Sequence, residues 1–259
     1  MGTTINHSHR TKIVGVSGHS IPVETVRTDK NITEVLQSGS WYGQKVLLVG
    51  GGPSMCGLGF GQMPTCLKIG INKAFVDYPV NVNYSMDKRF FDELTYPQKA
   101  DPNNAILRQK WSEFAGTKVF LRVDPKDKFG SSVHLVENVS QKAISFDLSI
   151  GIHGGKNSGF GALMLAIALG CVKIGLLGYD MKVDTNKKRT HWHNGYWHQT
   201  TRSIDDELTA MQTKLNGFRE EFDEFADAIR QYDIQVYNLN RDSALSCFPK
   251  VNMDEFARL

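Results

Sequence analysis

Between residues 191 and 199 the chain reads HWHNGYWHQ, three histidines and two tryptophans in nine positions, directly behind the basic run KKR at 187–189. Imidazole changes charge closest to neutral pH, so a histidine held beside a hydroxyl can serve as a general base. His191, His193 and His198 are the three candidates, at spacings of 2 and 5. Lys182, Lys187, Lys188 and Arg189 would supply positive charge to a departing phosphate. Trp192 and Trp197 offer flat faces for a sugar or a base and could keep water away from a reactive donor. A metal site is the rival reading. His191 and His193 could share an ion only from an extended backbone, and the nearest carboxylates, Asp180 and Asp184, give neither the HExxH spacing nor a cysteine-based set. No metal ligand is assigned, and a plainly exposed His/Trp loop is the third alternative.

Two glycine-rich turns could hold an anion. The first, GGGPSM from Gly50 to Met55, follows an apolar run. Glycines permit a positive φ and close approach of a ligand to the backbone, and amides at the start of a following helix suit a phosphate. Met55 stands where GxGxxG would have its third glycine or alanine, and the GK[ST] ending of a P-loop is missing, so neither a standard dinucleotide site nor a Walker site is supported. The second turn, GGKNSGFG at 154–161, opens an apolar helix that Asn157 or Ser158 can cap. Two such turns at one sheet edge would describe a nucleotide cleft, whereas tight turning and capping alone would need no ligand.

The elements that must position these turns are legible in the hydrophobic pattern. KVLLV (45–49), CLKIGI (66–71), VNVNYS (80–85), KVFLR (118–122), VKIGLLG (172–178) and IQVYNL (234–239) are short apolar runs of the kind buried on both faces of a parallel sheet. The segments between them can carry helices, which predicts an α/β, Rossmann-like, doubly wound and mainly parallel sheet. A long C-terminal amphipathic helix follows Ser203, with Ile204, Leu208, Met211, Leu215, Phe218, Phe222, Phe225 and Ile229 recurring at spacings of 4 and 3. At 1.5 Å per residue it spans roughly 40 Å, more than a sheet needs for cover, so part of the 204–229 stripe could form a homo-oligomer contact. Asn31 and Glu34 have capping-box spacing and predict a short helix within an otherwise weakly patterned lead-in, 1–43. Residues 44–259 read as a single nucleotide-binding, transferase-type domain with 181–202 as a lid loop.

Bulk properties narrow the class. The 30 basic and 27 acidic residues nearly cancel to a net +3, so any basic partner surface must be local. The four cysteines form no CxxC pair, which suits reduced thiols in the cytoplasm. The N-terminus lacks a signal-peptide core, and the strongest apolar stretch, FGALMLAIALGCVKIGLLG, is broken by Lys173 and divides at Gly170 into a helix and a strand, so no membrane span is expected.

The motifs also resemble a known group when taken in order: GGGPSM, GINKAF with Asn72, YSMD with Asp87, NSGFGALMLAIALGCVKIGLLGYDM, the histidine loop, and VYNLNRDSALSCFP. Over about residues 45–250 the chain resembles the bacterial sialyltransferases that use CMP-activated sugars. It is similar also to flagellin glycosyltransferase-like proteins and to phage-borne members of that superfamily, which would place it in a host cytoplasm. The block at 158–180 is the most specific part. The resemblance implies that Gly51, Gly52, Pro53 and Ser54 lie along the nucleotide phosphates, with Asn72 and Asp87 at the ribose or sugar. Asn157, Ser158 and Gly159 would face the base or ribose, and Gly178, Tyr179 and Asp180 would complete the cleft; the family's tyrosines at the departing phosphate have no secure match, and Lys182, Lys187, Lys188 and Arg189 could take that place. It also implies a loop histidine as base. The family's HxxxH spacing is not reproduced here, which leaves His191, His193 and His198 as alternatives.

The reading is thus a nucleotide-sugar-dependent glycosyltransferase, with a CMP- or UDP-type donor as co-substrate and no obligatory cofactor. The acceptor hydroxyl would sit on a glycan, a protein or modified DNA. Two alternatives remain. A distant likeness to the hydroxymethylpterin diphosphokinases would need ATP and Mg²⁺, with Asp87 and Asp180 as the available acidic ligands. A non-enzymatic nucleotide-binding or assembly protein would use the glycine turns structurally.

Overall fold

The computed structural model describes residues 13–15, 30–96, 104–127, 129, 132–193 and 203–259. His198, Trp197, Tyr196 and the rest of 194–202 lie outside the described residues.

Seven strands form one parallel sheet: β2 (Lys45–Val49), β3 (Leu67–Ile71), β4 (Val82–Ser85), β5 (Thr117–Arg122), β6 (His134–Glu137), β8 (Lys173–Leu177) and β9 (Gln235–Asn238), in the order β6-β5-β4-β3-β2-β8-β9. A separate antiparallel pair joins β1 (Ile13–Gly15) to β7 (Ala143–Ser145). The six apolar runs all become strands of the main sheet. The edge strand β6, the two-stranded pair and their short half-polar sequences carry too few apolar positions for the pattern to reveal them.

Alternate residues of the central strand β2 enter opposite cores. Val46 and Leu48 pack with α3 (Ser158–Ala168) and α4 (Ile204–Arg230) on one face. Leu47 and Val49 pack with α1 (Lys88–Thr95), α2 (Ala105–Glu113) and α5 (Met253–Arg258) on the other. The fold is therefore an α/β, Rossmann-like three-layer arrangement, and burial on both sides explains why the strands read as unbroken apolar runs. The crossovers from β2 to β3 and from β3 to β4 are made by 3-10 turns (Pro53–Met55, Phe60–Gln62 and Asn72–Val76), where the sequence pattern suggested helices. Asn31 and Glu34 form their capping box on a single 3-10 turn, Ile32–Glu34. The chain around it joins the core: Gly39 N donates to Ala168 O (3.0 Å) and Trp41 N to Leu169 O (2.7 Å), satisfying carbonyls at the end of α3.

α4 starts at Ser203, whose hydroxyl accepts from Asp206 N (3.2 Å), and Asp205, Asp206 and Glu207 favour its positive end. Only its second half, with Phe222, Phe225 and Ile229, is buried on the sheet. Among the described residues no helix is long and apolar enough to cross a membrane.

Candidate functional site

The strand order reverses at β2, whose neighbours are β3 on one side and β8 on the other. Loops leaving the carboxyl ends of two such strands diverge to opposite faces and open a crevice, the usual ligand position in this architecture. Here the loop after β2 meets the loop after β8. Gly50 N donates to Leu177 O (2.7 Å) and Gly52 N to Gly178 O (2.8 Å). A Cβ on Gly52 would stand 2.6 Å from Gly178 O and 2.7 Å from the Asp180 carboxyl carbon, and Gly178 itself has φ +72°. The glycines are thus required first by backbone packed on backbone, a demand that sequence alone could not separate from a ligand's.

Asp180 locks this junction. It is buried, and its carboxylate accepts from Ser54 N (2.6 Å), Ser54 Oγ (2.5 Å) and Asn240 Nδ2 (2.8 Å). Its carbonyl accepts from Ala244 N (2.8 Å), and Ser243 Oγ donates to Tyr179 O (2.6 Å). The NRDSA segment after β9 is accordingly the brace of the β8 loop. Ser54 gives both its amide and its hydroxyl to this carboxylate. The expected helix after the first glycine turn is only the three-residue 3-10 turn.

The second glycine turn is held from α4. The Glu221 carboxylate, buried on that helix, accepts from Lys156 N (2.7 Å) and lies 3.7 Å from His153 Nε2, whose ring stacks on Phe225 at 5.4 Å. Gly155, at φ +66°, leaves the space that the carboxylate fills. Asn157 then caps α3, accepting from Phe160 N (2.9 Å), while Ser158 Oγ accepts from Met86 N (3.2 Å) and Tyr179 OH donates to Gly159 O (2.9 Å). These bonds fix the first-turn amides of α3, which have no partner within the helix and carry its positive end. Replacing Glu221 by alanine should leave the Lys156 amide without this acceptor and lower stability by about 1–3 kcal/mol. Glu221→Gln keeps the acceptor and should retain most of that stability. Chemical denaturation of the three proteins separates these outcomes.

Both turns open on one cavity of about 690 Å³. Its wall includes Gly51, Gly52, Pro53, Asn72 and Asp87, then Asn157, Ser158 and Gly159, and finally Gly178, Tyr179 and Asp180. Lys188 and Arg189 are off this wall: they sit in a hairpin closed by reciprocal Asp184–Arg189 backbone bonds, with Lys188 Nζ 3.3 Å from Asp205 and Arg189 donating to the Cys56 sulfur (3.1 Å). The cations that do line the cavity are Lys156, Lys182 and Lys214. Two non-glycine residues on the wall, Asn72 (φ 54°) and Met181 (φ 50°), adopt left-handed backbone, a cost that folded proteins concentrate at functional sites.

Of the histidines, His191 lines the cavity. Burial, reinforced by the Lys73 charge, pushes its pKa down to about 4, so the ring is neutral near pH 7. Thr190 Oγ1 is 2.9 Å from its Nδ1. His193 stacks behind it, ring centroids 5.1 Å apart, and is not on the wall. Trp192 anchors the segment: its backbone N–H donates to Gly51 O (3.1 Å) and its ring meets Tyr78 edge-on at 5.5 Å. It is half-buried against the protein's second core.

Sequence reasoning missed Met86, Lys156, Glu207, Lys214 and Met211, Leu215 and Phe218 as wall residues. For the α4 members the signal was present, since the amphipathic stripe is longer than the sheet it covers. Met211, Leu215 and Phe218, part of the stripe offered for a subunit contact, line the cavity.

No family profile and no curated protein sequence matches the chain. Two solved structures are similar to it in fold. One is the MAf glycosyltransferase from Magnetospirillum magneticum AMB-1, at TM-score 0.49 and 11% identity, covering 89% of this chain. The chain spans 37% of that protein's length. The other is the sialyltransferase CstII from Campylobacter jejuni, solved in complex with a substrate analogue, CMP-3FNeuAc, at TM-score 0.42 and 15% identity, covering 80% of this chain and 86% of that one.

Proposed function

We propose that the cavity binds a nucleotide-sugar donor of the CMP or UDP type and that the protein transfers the sugar to an acceptor hydroxyl. The observation that carries this reading is that the first glycine turn, the amino end of α3 and His191 all line one cavity at the point where the sheet order reverses. The sequence resemblance to sialyltransferases supports the choice of chemistry.

In this reading the donor phosphate lies on the first-turn amides of Ser158 and Gly159 beside Gly51, with Lys156, Lys182 and Lys214 supplying mobile positive charge. Asn72, Asn157 and Asp87 offer the polar groups for the ribose or the sugar. In the tautomer whose Nδ1–H donates to Thr190 Oγ1, 2.9 Å away, the basic position of His191 is Nε2. It takes the acceptor proton as the new carbon–oxygen bond forms at the anomeric carbon. The bond from that carbon to the phosphate oxygen breaks with its electron pair, and the nucleotide departs as an anion.

The Mg²⁺-dependent diphosphokinase reading would draw on Asp180 and Asp87, whose carboxylates are engaged within the protein: both Asp180 oxygens accept hydrogen bonds, from Ser54 and from Asn240, and Asp87 Oδ1 caps α1 by accepting from Arg89 N (2.9 Å) and Phe90 N (3.3 Å).

Thermal unfolding with CMP, UDP, GDP and ATP, each with Mg²⁺ and with EDTA, tests the proposal. CMP or UDP is expected to stabilise the fold equally in both conditions, by about 2.7 kcal/mol at a hundred times the dissociation constant. Stabilisation by ATP alone, and only with Mg²⁺, would favour the diphosphokinase; silence towards every nucleotide would remove the enzyme reading.

A further inference from the structure

One side of the cavity is apolar and is formed largely by one face of α4. Met211, Leu215 and Phe218 are half-buried and stand at i, i+4 and i+7, one face of α4, and all three line the cavity. They continue the stripe whose next members, Phe222 and Phe225, are fully buried on the sheet. Met86 and Met181 lie on the wall with them. The arrangement is fixed: Val183 N donates to Gln212 Oε1 (3.0 Å) and Gln212 Nε2 to Met181 O (3.4 Å), tying the helix to the strained Met181. The opposite face of the helix, with Thr213 and Asn216, is exposed and polar, so the apolar residues are confined to the cavity side. Apolar surface gathered in this way marks a binding site, and methionines adapt to irregular groups.

Phosphate and ribose hydroxyls gain nothing from thioether and aliphatic carbon. The hydroxyl that His191 would deprotonate must enter this same cavity. We propose that the α4 side is an acceptor subsite for an apolar group: the receiving hydroxyl belongs to a molecule that carries an alkyl, acyl or aromatic moiety beside it. The proposal rests on the donor reading above and adds the chemical class of the second substrate.

Methyl, butyl and hexyl β-glucosides serve as probes of graded apolar length, titrated calorimetrically with and without CMP or UDP. Affinity should rise along the series, by up to about fourfold per fully buried methylene, and by at least about tenfold from methyl to hexyl. In a Met211→Ser, Leu215→Ser protein the hexyl advantage should fall about tenfold, while the nucleotide dissociation constant stays within about twofold of wild type. Should the double variant fail to fold, Met211→Ser alone reads the same slope. A flat series in the wild type overturns the proposal, as does an equal loss of nucleotide affinity in the variants, which would assign the wall to the donor's base. If the slope persists in a protein that no nucleotide stabilises, the donor reading fails and the apolar subsite stands.

Discussion

Replacing Asp180 with alanine is expected to lower the unfolding free energy by about 3–5 kcal/mol and to abolish the nucleotide response. Two Ser54 donors and the Asn240 amide would lose the buried Asp180 carboxylate as their acceptor. Each hydrogen bond to a charged group is worth about 1.5–3 kcal/mol, with partial relaxation offsetting the sum. The loss extends to binding because the same carboxylate holds the loops after β2 and β8 in register, and Gly51 and Gly52 would no longer face the amino end of α3. Asp180→Asn keeps an oxygen acceptor and should lie between the two in both properties, which keeps the test readable if the alanine protein does not fold. Urea unfolding combined with nucleotide titration gives the answer; an alanine variant within 1 kcal/mol of wild type that still binds nucleotide would show that the junction does not depend on this brace.

Substituting His191 by asparagine should reduce the transfer rate by about 10² to 10⁴-fold, with little change in nucleotide affinity. His193→Asn, which alters a ring stacked behind the wall, should have a much smaller effect. The titration of His191 adds a second readout. Its pKa falls from about 6.5 in the unfolded chain to about 4 in the fold. The unfolded state therefore binds the proton more tightly, and stability is whole above pH 6.5 and declines as the pH drops from 6.5 towards 4. At 1.36 kcal/mol per unit the decline amounts to about 3 kcal/mol, and His191→Asn should remove that component. Superimposable stability curves for the two proteins between pH 4 and 7 would refute the assignment. The acid limb of the transfer rate should correspondingly lie near pH 4–5, below the range of an exposed histidine.

The strands and both glycine turns were legible because a parallel sheet buried on both faces leaves continuous apolar runs, and because close backbone approach at Gly50 and Gly52 and a positive φ at Gly155 select glycine. Ser203 and Asn31 were legible as caps for the same local reason, since capping depends on residues within one turn. What these signals could not contain is which loop meets which. The reversal of strand order at β2 brings residues 50–53 against 178–180 across more than a hundred positions of sequence, and the glycines there turn out to serve that contact. Ser54 has the composition of a phosphate ligand, yet the fold gives both its donors to Asp180.

The histidine segment shows the same division. Its residue types announced acid–base chemistry, but the bond from Trp192 to Gly51 is what sets His191 on the wall and His193 behind it. The α4 stripe was periodic from end to end, so the sequence determined that this helix has one apolar face. Only the tertiary structure decided that the sheet takes Phe222, Phe225 and Ile229 while the cavity takes Met211, Leu215 and Phe218, because burial is a relation between distant segments, whereas periodicity, capping and turn chemistry are properties of neighbours in the chain.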